Sequence, residues 1–165
     1  MRRYALVSAA LLALGAPAAA WALTQGPNDG TLVVKDGSAP KGTPVVTLVI
    51  TGAAIGRITG LGSIVIASSA EPEVTGFDWR KDLSDNATKW GGGTSIKFRA
   101  VGGTYTILIY GSDVDISAVG HGTVTLAGMP DQTLGDGTYS LNGDPFRSLP
   151  ATPTGKLTIG VPSNG

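Results

Sequence analysis

Residues 96–109 read Ile-Lys-Phe-Arg-Ala-Val-Gly-Gly-Thr-Tyr-Thr-Ile-Leu-Ile, and no other stretch of the chain restricts its fold as much. Side chains alternate apolar and polar on both sides of the glycine pair, which is the period of a strand with one buried face. Glycine at both central positions permits the positive φ angles of a type I′ or II′ turn, so a hairpin is predicted at Val101-Gly102-Gly103-Thr104. Pairing outward from that turn sets Ala100 opposite Tyr105, Phe98 opposite Ile107 and Ile96 opposite Ile109 on one face. Lys97 and Arg99 fall on the other. A slip of one residue would turn both charges inward without partners, which is very unfavourable, so this register is strongly specified.

The remainder of the chain repeats the β signature. Runs rich in Val, Ile, Thr and Tyr occur at 31–35, 44–50, 63–67, 95–101, 104–110, 113–117, 123–127, 138–141 and 156–161, each bounded by Gly, Pro, Asp or Asn. Spacings of three and four that would support a long helix are missing; a short helical turn is expected only in 78–87, capped by Asp78 or Asp82. The predicted fold is an all-β, compact, sandwich-like domain of about nine strands. Residues 45–58 continuing to 62–66 are similar to residues 105–116 continuing to 122–126, with Ile50 matching Ile109, which suggests an internal duplication. A short β-helix or solenoid with glycine corners is the alternative, although residues 70–95 interrupt the period with Pro72, two Trp and a triple Gly.

Composition narrows function by exclusion. With 12 basic and 12 acidic residues, the chain lacks the broad positive surface that binding a phosphate backbone requires, so nucleic acid is not an expected partner. No Cys is present, which removes disulfides, thiolate-held metals and thiol nucleophiles. The chain opens with Met1, Arg2 and Arg3, an apolar run from Ala5 to Ala16, and small residues at Ala18, Ala19, Ala20 and Ala22. That order reads as a secretory signal peptide over residues 1–22, cleaved after Ala20 or Ala22, leaving a single β-rich domain over 23–165. The apolar run would reach only roughly 18 Å as a helix, short of a hydrocarbon core of about 30 Å, so no transmembrane span is expected after cleavage. The predicted destination is the cell envelope or the extracellular space.

Phe98-Arg99, Gly102-Gly103, Ile109-Tyr110-Gly111, the stretch from Asp115 to Gly122 and Asp136-Gly137-x-Tyr139-Ser140 together resemble a group of small exported bacterial β-proteins without an assigned activity. The likeness covers most of residues 29–150 and implies an exported β-domain, with no chemistry attached. The segment Ile50 to Ile58 is also locally similar to the rungs of bactofilins, which implies polymerisation; bactofilins, however, are cytoplasmic and have a continuous series of rungs.

Catalytic constellations are sparse. His121 is the single histidine, and a Ser-His-Asp site would need Ser117 with Asp113 or Asp115, but no Gly-x-Ser-x-Gly elbow is present. His121 between two glycines reads better as an exposed turn residue. One His without Cys offers too few ligands for zinc, and the acids Asp113, Asp115, Asp131, Asp136 and Asp144 form no calcium loop. No catalytic residue, metal or cofactor is therefore assigned.

Binding has a better candidate in Glu71 to Gly93, which concentrates Phe77, Trp79 and Trp90 with charged residues. Trp79, Trp90, Arg80 and Asp82 are the candidate ligand contacts, since aromatic faces beside polar groups suit a sugar ring. The competing reading has both tryptophans closing the loop over the core. Asn86-Ala87-Thr88 fits a glycosylation sequon, and Leu149-Pro150-Ala151-Thr152-Pro153 departs from a sortase signal where Gly is required. The sequence thus predicts an exported, non-enzymatic structural or protein-interaction module. A carbohydrate-binding module is the alternative and a hydrolase a distant third; envelope proteins or glycans would be the partners.

Overall fold

The computed structural model describes residues 26–130 and 137–161. The expected signal peptide, Asp131 and Asp136 lie outside the described residues. Eleven strands follow in order: β1 (Gly30–Gly37), β2 (Val46–Ile58), β3 (Ser63–Ser68), β4 (Glu73–Thr75), β5 (Trp79–Ser84), β6 (Ala87–Gly91), β7 (Ile96–Tyr110), β8 (Val114–Leu126), β9 (Thr138–Leu141), β10 (Arg147–Ser148) and β11 (Leu157–Ile159). No helix occurs among the described residues. All strands belong to one antiparallel sheet of order β10-β9-β1-β8-β2-β7-β3-β6-β5, with β11 also on β8 and β4 also on β7.

The hairpin expected at Gly102-Gly103 does not form. β7 runs through both glycines as one strand of 15 residues, and its partner is β2 rather than itself. Gly103 pairs with Gly52 while Val101 pairs with Ala53, leaving Gly102 bulged out with φ 74°. The reason the sequence pattern misleads is one of parity. A two-residue turn sets even positions against odd ones, and one bulged residue moves the inward set from even to odd in the same way. Ile96, Phe98, Ala100, Tyr105, Ile107 and Ile109 are all buried, as either arrangement requires, and Lys97 is exposed. Tyr105 straddles the bulge, its buried phenol donating a hydrogen bond of 2.8 Å to the Val101 carbonyl.

Three long strands, β8, β2 and β7, make the spine of the sheet, and each passes through a glycine in the same row: Gly120, Gly52 and Gly103. Glycine reads locally as a strand boundary, and the sequence accordingly divides β7 and β8 in two and ends β2 early. Where glycines meet across strands, however, the backbones approach closely and the ladder continues through the bend. The row separates two halves. Beyond it on one side β1 and β4 flank the spine, and on the other β11 and β3 do so, extending to β6 and β5.

Residues from both halves, including Leu32, Ile58 and Phe98 from one and Ile64, Ile109 and Ile159 from the other, share one hydrophobic cluster. With no helix available, the sheet covers its own apolar face by turning over upon itself. The strand spacing that suggested two layered sheets thus corresponds to one continuous sheet. A solenoid is excluded for these strands, because every pairing is antiparallel whereas the rungs of a parallel β-helix stack in parallel. The bactofilin-like segment lies inside β2 between β7 and β8. Nor do the two similar segments occupy equivalent places. Residues 46–58 are one bent strand, while 105–116 span the end of β7, a turn and the start of β8.

Candidate functional site

Residues 71–93 are not irregular, and the helical turn expected in 78–87 is replaced by a hairpin of β5 and β6 around Asp85-Asn86. Asp82 does not cap a helix. Its Oδ1 accepts hydrogen bonds from Thr88 Oγ1 at 2.8 Å and Arg80 Nε at 3.2 Å, tying the two strands together. These donors, Thr88 first and Arg80 second, hold the Asp82 carboxyl below its ordinary range. At the turn, Ser84 Oγ donates to Asn86 Oδ1 at 3.0 Å. A register shift between Asp82 and Ser84 leaves Leu83 bulged and exposed.

The four candidate contacts divide between the two faces of this hairpin. Arg80 pairs with Trp90 and Asp82 with Thr88, whereas Trp79 pairs with Gly91. Strand alternation then sends Trp79 to the face opposite the other three. Trp90 is 6% exposed and joins the core beside Ile64 and Ile66; Trp79 is 44% exposed. The two tryptophans therefore make neither a shared platform nor a shared lid.

On the inner side, Trp90 forms part of a groove of about 640 Å³ between the segment 68–77 and the hairpin. Phe77, Arg80, Glu71, Glu73 and Thr88 also line it, and the Arg80 guanidinium stands 5.9 Å from the Trp90 ring centroid. Since Trp90 is nearly covered, it serves as the floor of this groove rather than as an open stacking face.

The outer side is built differently. Tyr110, Ser63, Gly91 and Trp79 form one row across β7, β3, β6 and β5, and Leu108, Val65, Lys89 and Lys81 form the next. A side chain at Gly91 would collide with the six-membered ring of the Trp79 indole, and one at Gly92 would stand 3.0 Å from its Cδ1. The indole consequently lies across a bed of glycine backbone with its other side toward solvent. The Lys89 ammonium sits between the two aromatics, 5.9 Å from the Trp79 centroid and 5.7 Å from that of Tyr110. Sequence reasoning overlooked Tyr110 as a partner of Trp79. The signal was available in part, because Ile109 facing inward obliges Tyr110 to face outward, but its position in the same row depends on β3 and β6 intervening.

The remaining candidates are dispersed. His121 lies within β8, not in a turn, and its Nδ1 is 3.4 Å from Asp29 Oδ1 on an exposed surface. Ser117 is four residues away on the same strand, about 13 Å by strand rise, so the two are not brought together. Asp115 is engaged by Arg57 at 2.9 Å and by the Asp36 amide at 3.1 Å, and Asp113 occupies the turn after β7 with φ 52°. Among the described residues no group of three or more His, Asp or Glu could hold a metal ion. Leu149 of the sortase-like segment is buried in the core, and the Pro150 carbonyl accepts the Gly128 amide at 2.7 Å. Comparisons with models of known families, with curated proteins and with solved structures find no match to this chain.

Proposed function

We propose that this chain is an exported, non-enzymatic binding module of the cell envelope or extracellular space that takes a carbohydrate on the outer face of β3, β6 and β5. The observation that carries this reading is Trp79. Two successive glycines, Gly91 and Gly92, hold its indole flat on the sheet with an apolar face presented to water. A half-exposed flat ring beside polar groups matches the apolar face of a pyranose.

Association through sheet edges, the other reading of the sequence, has less support. The β5 edge carries Arg80, Lys81 and Asp82 and is broken by a bulge, and β10 has only two residues. Charges, bulges and short length are the means by which sheets discourage pairing with further strands. The test is retention of the purified exported protein on immobilised polysaccharides, wild type against Trp79→Ala. The expected result is retention that Trp79→Ala abolishes while Trp90→Phe preserves it. Equal retention of wild type and Trp79→Ala would defeat the proposal.

A further inference from the structure

Resting on that reading, we infer that the ligand is an acidic polysaccharide, bound with a sugar ring on Trp79 and a carboxylate group held by Lys81 and Lys89. The two lysines are directly opposed across β5 and β6. Like charges in that position repel and destabilise the pair of strands. Neither lysine is in an ion pair among the described residues, so the repulsion has no internal compensation by a carboxylate. Lys89 is partly accommodated by the rings of Trp79 and Tyr110, which attract a cation but do not neutralise it. Asp82, the acid next to Lys81 in sequence, is paired instead with Arg80 at 3.2 Å on the other face. An anionic group from outside supplies the missing partner.

The aromatic row restricts the shape of that ligand. Trp79 and Tyr110 are three strands apart in one row, with Lys89 in the adjacent row and within 6 Å of both rings. An extended chain of sugars can cover both aromatics while passing over the ammonium; a single small anion would touch only the lysines. Asp78 stands beside the pyrrole edge of Trp79, its Oδ2 3.0 Å from where a side chain at Gly92 would begin. There it can accept hydroxyl hydrogen bonds from the sugar on the indole.

The experiment compares polygalacturonate, alginate and hyaluronate, each beside its methyl-esterified form, by affinity electrophoresis and fluorescence titration. The same backbone is thereby presented with and without charge. At least one acidic form should bind about tenfold tighter than its ester, with the preference falling as salt rises. Lys81→Gln should remove most of that preference without disturbing either aromatic ring, and Lys81→Arg should retain it. Trp79→Ala should weaken both forms. Equal binding of acid and ester would overturn the acidic-ligand inference while leaving carbohydrate binding intact. Binding of none of the six polymers would overturn both. Tight binding to phosphatidylglycerol vesicles with no glycan bound would overturn both as well, in favour of a membrane surface.

Discussion

The glycine row that bends the spine of the sheet can be tested by contrasting Gly120→Ala with Gly102→Ala. Both glycines have positive φ, 151° and 74°, so an alanine at either position is strained. At Gly102 a methyl group would meet nothing within 4 Å. Its replacement therefore isolates the conformational penalty, about 1–2 kcal/mol. At Gly120 the same methyl would run into the Thr51 carbonyl oxygen and stand 3.0 Å from the Gly52 Cα. β8 and β2 must then separate around the bend, weakening ladder hydrogen bonds worth roughly 0.5–1.5 kcal/mol each. Strain and two weakened bonds together give about 2–5 kcal/mol for Gly120→Ala, a large share of the roughly 5–15 kcal/mol that holds a domain folded. Urea unfolding followed by far-UV circular dichroism, with m-values compared to confirm two-state behaviour, reads both differences. If Gly120→Ala is no more destabilising than Gly102→Ala, close strand approach is not the reason for glycine in this row.

Three further outcomes are expected. Tyr105→Phe removes the hydroxyl that bridges the bulge to the Val101 carbonyl and should lower stability by about 1 kcal/mol, whereas Tyr105→Ala also opens a cavity and should lower it by about 3–5 kcal/mol, both read by urea unfolding. Ile107 is fully buried between Leu48 and Ile66, so Ile107→Ala should lose about 2–5 kcal/mol in the same assay and Ile107→Asp should show no cooperative transition. Because folding lowers the Asp82 pKa, its contribution to the β5–β6 hairpin is present above the ordinary carboxylate range and is lost as pH falls through the lowered folded-state value. An NMR titration should place the Asp82 midpoint below that of an ordinary Asp, and Asp82→Asn should remove this part of the acid dependence; a midpoint at or above the ordinary value contradicts the hydrogen-bonded geometry.

The hairpin of β5 and β6 was hidden from sequence reasoning for a physical reason. Trp79-Arg80-Lys81-Asp82-Leu83-Ser84 lies at the sheet's edge, where every residue is exposed, so no apolar alternation marks it as a strand. Its order comes from β6, which is tied through Trp90 to Ile64. The placement of Trp79 beside Lys89 and Tyr110 follows from that register, and no local pattern contains it.

What the residues themselves dictated was orientation. Alternation in 96–101 and 104–110 assigned Phe98, Ile107 and their neighbours to the interior and Lys97 to water, because burying an unpaired charge is far less favourable than burying a ring or an alkyl chain. Connectivity was settled elsewhere. A turn and a bulge reverse the facing of side chains equally, so Gly102-Gly103 satisfied both, and only the glycines of β2 and β8 arriving in the same row selected the bulge. That meeting joins residues some seventy positions apart in the chain, and contacts of such range belong to the assembled sheet.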